Sequence, residues 1–228
     1  MTQLVQRDPA LATRVARLAQ SAAFTGAVGE PISLPYAMMR VGTQAVRGLC
    51  LMSSLAREAL RPGPLLPLRR QVWRECVASA LTCQTIAGFP GVSTDDAWLL
   101  GLMHDFGKVV ALRAIEPDLD GNVAQRLRFW GEVMERHHCD VGWIVTDRWR
   151  LPLSVPSVTA THHLPGDGRG LHEVVVRGDR VVAAAAARGW QIAAADIVAL
   201  DGVAANADEA MAIRIALAKH PFYLAATG

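Results

Sequence analysis

Apolar residues recur at three- and four-residue spacing through most of this 228-residue chain, and Gly, Pro and Asp interrupt the pattern before any long stretch alternates at period two. Such a chain can build helices and little else. Asp8-Pro9 reads as an N-cap followed by proline in the first turn, opening a helix through Leu11, Val15, Leu18 and Ala22 to about Ala23. Ser33 caps a short helix through Met39, and Gly42-Thr43 breaks and recaps the chain before a helix that ends near Leu60. Val72, Cys76, Ala80 and Ile86 then mark a long helix ending at Gly88, and Thr94-Asp95-Asp96 caps the next one. Further helices are expected from about Asn122 to His137, Asp140 to Arg150, Ser154 to His162, Leu171 to Arg188 and Asn206 to His220. The run Glu173 to Val176 is the one strand-like exception, so the fold class is all-α. No repeat of solenoid length is visible.

Composition sharpens this reading. With 51% apolar and 19% charged residues the chain can bury a real core, which excludes disorder and a disulfide-stapled miniprotein. Residues 1–70 hold nine arginines against three acids (+6), whereas residues 71–228 hold 14 basic against 18 acidic residues (−4). The change falls at the Pro-rich stretch Arg61 to Pro67, which predicts a division into an N-terminal part, 1–66, and a C-terminal part, 67–228. With a net charge of +2 and just two lysines, Lys108 and Lys219, a simple cationic nucleic-acid binder is disfavoured. Neither a helix-turn-helix signature nor an aromatic-basic RNA platform is evident. The stretch Cys76 to Thr94 lacks Asp, Glu, Lys and Arg, but its Ser, Thr, Gln, Gly and Pro residues read as a buried helix and loop, so no membrane span is expected. The four cysteines form no CxxC pair and no leader-like segment opens the chain, so a cytoplasmic location is expected. Cys50, Cys76 and Cys83 read as core thiols, and the tryptophans at 73, 98, 130, 143 and 149 as core or subdomain-interface residues.

Five of the seven histidines fall in three groups at the ends of apolar helical stretches: His104, His137-His138 and His162-His163. His104-Asp105 is the most suggestive doublet, because one turn offers an imidazole nitrogen and a carboxylate oxygen to a divalent metal. Each group also has a plainer reading, in which histidines cap helix carbonyls and Asp105 takes a hydrogen bond from a neighbouring helix.

The order of motifs resembles the HDOD domains, HD-related output domains of bacterial signalling proteins. Gln6 to Leu11, Leu18 to Ala22, Ile32 to Ala37 and Val41-Gly42 are similar to the opening of that family. Gly101-Leu102-Met103-His104-Asp105-Phe106-Gly107-Lys108 resembles its GLLHDIG segment. His138 with Val141-Gly142, then Trp149-Arg150-Leu151-Pro152, then His162-His163, is similar to its later signature. The likeness runs over nearly the whole chain, with the helical segment before Asp8-Pro9 expected to be shortened. It implies an all-α fold in which an N-terminal helical bundle packs on a C-terminal HD-like helical subdomain.

Related HD phosphohydrolases bind metal through an isolated His, the His-Asp doublet and a distal Asp, with extra histidines in the branch that hydrolyses cyclic di-GMP. Carried over, the resemblance implies a metal set of Glu75 in place of the first His, His104, Asp105, His138, His162, His163 and Asp179, holding a divalent ion such as iron or manganese. HDOD members are regarded as regulatory modules, which implies a non-catalytic role exercised through contacts with signalling proteins or through sensing a ligand. Arg40, Arg47, Arg57 and Arg61 of the Arg-rich N-terminal part are the candidate contact surface, with a solvated face as their plainer reading. The alternative is a metal-dependent phosphohydrolase acting on a nucleotide or cyclic dinucleotide, with Asp105 and Lys108 as catalytic candidates and Lys108 or an arginine holding the phosphate. The Gly-Tyr-Pro signature of cyclic di-GMP hydrolysis is absent from the sequence.

Overall fold

A computed structural model of the chain describes residues 5, 7–20, 33–89, 91–116, 123–166 and 168–227. It divides into two compact units, Met1–Arg61 with Lys219–Gly228, and Pro62–Ala218. Among the described residues there is no strand, so the chain is all-α.

The first unit contains α1 (Pro9–Gln20), α2 (Leu34–Val41) and α3 (Thr43–Ala59). Asp8 caps α1 as its sequence predicts, its Oδ1 accepting the Leu11 N–H at 3.0 Å. Residues 21–23, expected to continue that helix, lie outside the described residues. Leu11, Val15, Leu18 and Ala19 of α1 meet Ala37 and Val41 of α2 and Val46 and Leu49 of α3, so the three apolar stripes close one small core. Arg40, Arg47 and Arg57 lie on the outer faces of these helices, and Arg61 is exposed at the end of the unit.

The second unit is built on α4 (Leu66–Ala87), which packs along α5 (Thr94–Met103) and α9 (Gly170–Ala187). Around these lie α6 (Phe106–Ile115), α7 (Val123–Arg148) and α8 (Ser154–Thr161), with α7 packed on both α6 and α8. Short α10 (Ala194–Val198) and α11 (Ala207–Thr227) complete the described chain, the last residues of α11 grouping with the first unit.

Several local expectations need correction. Helix α4 begins inside the stretch read as a linker, because Pro67 falls in its first turn, where a missing N–H costs nothing. Ser93, not Thr94, caps α5, its hydroxyl accepting the Asp96 N–H at 3.2 Å. The two helices expected on either side of Cys139 are one 26-residue helix, α7, which runs through Gly131 and Gly142 without a break. Helix α6 was not anticipated, because Gly107 looks like a stop in sequence. The Glu173–Val176 run is helical, within α9. Trp73 is buried, but Trp143 and Trp149 are each 48% exposed, so those two are not core residues.

Candidate metal centre

His104 and Asp105 form the two-residue corner between α5 and α6, as C-cap of one and N-cap of the other. An aspartate at that position would ordinarily bond the first-turn N–H groups of α6, yet Asp105 makes no such cap. Its side chain is 8% exposed and turns inward instead. Glycines let the surrounding helices close on this corner. A Cβ at Gly101 would stand 2.5 Å from the Ser79 carbonyl of α4. One at Gly107 would run into the His138 carbonyl of α7 and stand 2.7 Å from the Gly142 nitrogen. Backbone-to-backbone contact of α6 and α7 is what brings His138 over Asp105.

Three imidazoles then converge with one tautomer imposed on each. Nδ1 of His104 donates to the Gly101 carbonyl at 2.9 Å, Nδ1 of His162 to the Thr159 carbonyl at 2.9 Å, and Nδ1 of His138 to the Glu135 carbonyl at 2.9 Å. A carbonyl cannot donate, so each Nδ1 carries a proton, and in its neutral form each ring presents the Nε2 lone pair to the pocket. Those lone pairs face an acceptor: Asp105 Oδ1 lies 3.2 Å from His138 Nε2 and 3.4 Å from His162 Nε2. His104 Nε2 lies 3.7 Å from both Asp105 Oδ2 and Asp179 Oδ1, too far for a hydrogen bond. Both His104 Nε2 and Asp105 Oδ1 are buried without a hydrogen-bond partner. Buried acceptors crowded this way need a proton or a cation among them.

The electrostatics carry the same tension. Burial alone would lower the His104 pKa, but Asp105 and Asp179 outweigh it and the net shift is upward. Burial would raise Asp105, yet His104, His162 and Lys108 hold its carboxyl well below the usual aspartate range. Asp179 is likewise lowered, as His104 overcomes its burial. Burial pushes His138 and His163 down, keeping both imidazoles neutral, and pushes Glu75 up. Lys108 is already paired twice within the cluster. Its ammonium bonds Asp105 Oδ2 at 2.9 Å and Glu135 Oε1 at 3.0 Å, and those carboxylates raise its pKa against the effect of burial.

Of the residues expected in the metal set, His104, Asp105 and His162 bring ligand atoms within 4.8 Å of one another, and His138, His162 and His163 do so together with Cys139. Asp179 joins through His104. Glu75 stands apart: its carboxylate accepts from Gln71 at 3.1 Å, and it senses Asp105, Lys108 and Glu135 through charge alone. His137, beside His138 in sequence, points outward toward Asp140. Cys139 and Glu135 were missed as members of the site. Helical phase could have found Glu135, three residues before His138, once α7 is taken as continuous. The donor set fits a divalent cation, with imidazole and carboxylate atoms already turned inward and two of them lacking partners.

Comparison with known proteins follows the same lines. No curated protein matches the chain. Three solved structures share its fold. A protein described as a putative metal-dependent phosphohydrolase from Shewanella amazonensis is 16% identical, with a TM-score of 0.63 over 95% of this chain and 83% of its own. An HDOD domain protein of unknown function from Geobacter sulfurreducens is 19% identical, with a TM-score of 0.65 over 99% of this chain and 84% of its own. A protein described as a putative signal transduction protein from Marinobacter aquaeolei is 19% identical, with a TM-score of 0.63, and this chain spans 54% of its length. At such identities the likeness establishes fold. Among the described residues no helix is long and apolar enough to cross a membrane. The HDOD domain family model matches residues 1–165, most of the chain, and the protein belongs to that family.

Proposed function

We propose that this HDOD domain is a regulatory module of bacterial signal transduction whose His104/Asp105 pocket holds a divalent ion, iron or manganese, and which acts by binding rather than by turnover. The observation that carries the metal is the buried, unpartnered Asp105 Oδ1, within 3.4 Å of two imidazole Nε2 atoms whose rings already donate from Nδ1. His104, Asp105 and Asp179 would hold the ion, with His138, His162 and His163 beside them. A divalent ion there supplies Lewis acidity and a bound water of lowered pKa. What argues for binding rather than hydrolysis is charge. The carboxylates in and near the cluster, Asp105, Asp179, Glu135 and the more distant Glu75, outnumber its one ammonium, that of Lys108, which is already paired with Asp105 and Glu135. A phosphate arriving at such a pocket meets net negative charge even after one divalent ion is bound. The exposed Arg40, Arg47, Arg57 and Arg61 supply a surface suited to an acidic protein partner.

Metal content of the full chain, purified without chelator or affinity-tag metal, tests the pocket. Near-stoichiometric iron or manganese, lost in His104→Ala, is expected. A wild type that stays empty after incubation with iron, manganese and zinc ends this reading. Charge reversal at the four arginines is expected to abolish capture of the native partner, and unchanged capture would remove that surface from consideration.

A metal-dependent phosphohydrolase is the second reading, favoured by the convergence of His104, Asp105, His138, His162, His163 and Asp179 in one pocket. It expects metal-loaded protein to hydrolyse a nucleotide or cyclic dinucleotide, with Asp105→Asn inactive. Metal-loaded wild type without such activity leaves the binding module standing alone.

A further inference from the structure

His138 Nε2 has one lone pair and too many neighbours. Within 3.4 Å of it lie Asp105 Oδ1 at 3.2 Å, His162 Nε2 at 3.4 Å, His163 Nε2 at 3.0 Å and the Cys139 thiol sulfur at 3.4 Å. Its ring proton is already committed to backbone carbonyls from Nδ1. One hydrogen bond, from the thiol or from His163, could use that lone pair, and the remaining contacts would stay unfavourable. A cation placed among these atoms would satisfy several of them at once.

The separations suit a small tetrahedral ion. Nitrogen ligands about 2.0–2.1 Å and sulfur about 2.3 Å from zinc stand about 3.3–3.6 Å from one another. Around His138 Nε2 the separations to the imidazoles are 3.0 and 3.4 Å and that to the sulfur is 3.4 Å. Cys139 is half-buried and unbridged, and although it follows His138 directly on α7, its sulfur comes within 3.4 Å of the His138 Nε2. His162 faces this group and the His104/Asp105 group alike.

We propose that His138, Cys139 and His163 form a second cation position beside the carboxylate-rich one, with its fourth place open to the single lone pair of His162 or to water, and that the Cys139 thiolate makes it select zinc-like, thiophilic ions over manganese or magnesium. The inference rests on the pocket being a metal site, and it adds a division of labour within it. Carboxylates of Asp105 and Asp179 favour a harder ion, while thiolate and imidazole favour a softer one.

Cobalt(II) distinguishes the two positions by spectrum. Full-length protein is stripped with chelator, reloaded with cobalt and compared with Cys139→Ser, with Cys139→Ala as a second variant should the serine protein misfold by circular dichroism. Wild type is expected to show a thiolate-to-cobalt charge-transfer band in the near ultraviolet. Both variants are expected to lose that band, to lose one equivalent of bound zinc, and to keep the visible bands of cobalt held by nitrogen and oxygen. Wild type that binds cobalt without a thiolate band overturns this proposal and leaves the His104/Asp105 site intact. So does a variant whose spectrum and zinc-over-manganese preference match wild type. Wild type that binds no cobalt, zinc, iron or manganese overturns both.

Discussion

Two buried carboxylates in the same unit, Glu116 and Asp105, have opposite surroundings. Glu116, just past α6, is 7% exposed and every approach to it is by a donor: the Leu65 N–H at 3.0 Å, the Arg69 guanidinium at 2.8 Å, and Arg113. It ties the end of α6 to the start of α4, where the helix dipole also favours a negative charge. Glu209 repeats the pattern, accepting from the Ala205 N–H and from Arg177. Asp105 has one oxygen satisfied by Lys108 and the other facing imidazole lone pairs. A carboxylate ringed by donors is complete within the protein. One whose second oxygen faces imidazole nitrogens needs a proton or a cation between them.

The sharpest break of this contrast is Glu116→Ala. It removes the carboxylate that bonds the fully buried Arg69 guanidinium and the Leu65 N–H, and is expected to cost about 3–5 kcal/mol of unfolding free energy. Urea unfolding at neutral pH measures this. Metal content per folded molecule should not change, and a loss of metal would mean that the latch also shapes the pocket.

Asp105→Asn should behave the other way round. In chelator it is expected to cost about 1–2 kcal/mol, because Lys108 keeps Glu135 as a partner. With iron or manganese in excess, wild type should gain thermal stability and the variant should not, since only the native state of the wild type binds. A variant that retains the full metal-dependent gain would show that Asp105 is not a ligand.

Acid separates the latch by sign. Burial pushes the Glu116 carboxyl up, but its bonds to Arg69, the Leu65 N–H and Arg113 outweigh this and hold its folded pKa below the ordinary 4.5. The stability it contributes is therefore complete above about pH 4.5 and is lost as pH falls through the lower folded value. Glu116→Gln should flatten that part of the acid limb. An unchanged slope would mean that other carboxylates carry the acid sensitivity.

Part of the cluster was readable in sequence because His104-Asp105 and His162-His163 sit at helix ends and announce themselves as doublets. The helical class was readable for a related reason, as periodicity and Gly/Pro punctuation are local. What escaped depended on distance. Gly107 resembles a stop until the His138 carbonyl is seen lying against it, so α6 was hidden and with it the contact that sets His138 over Asp105. Splitting α7 near Cys139 concealed that Glu135, His138 and Cys139 project from one continuous helix. The latch at Glu116 joins residues 47 and 51 positions apart, and no local pattern marks it.

Glu135→Gln gives the smallest expected effect and the finest test of the contrast. Glu135 reaches Lys108 at 3.0 Å, but its side chain is 57% exposed, so water screens the pair and its loss is expected to cost about 0.5 kcal/mol or less. Lys108 remains on Asp105 Oδ2, leaving Oδ1 directed at the imidazoles, and metal affinity should stay within about threefold of wild type, a difference of about 0.7 kcal/mol. A larger fall in affinity at unchanged stability would show that Glu135 holds Lys108 in place to orient Asp105. The metal site would then begin at the carboxylate on the rim, one layer of side chains farther out than the ligands themselves.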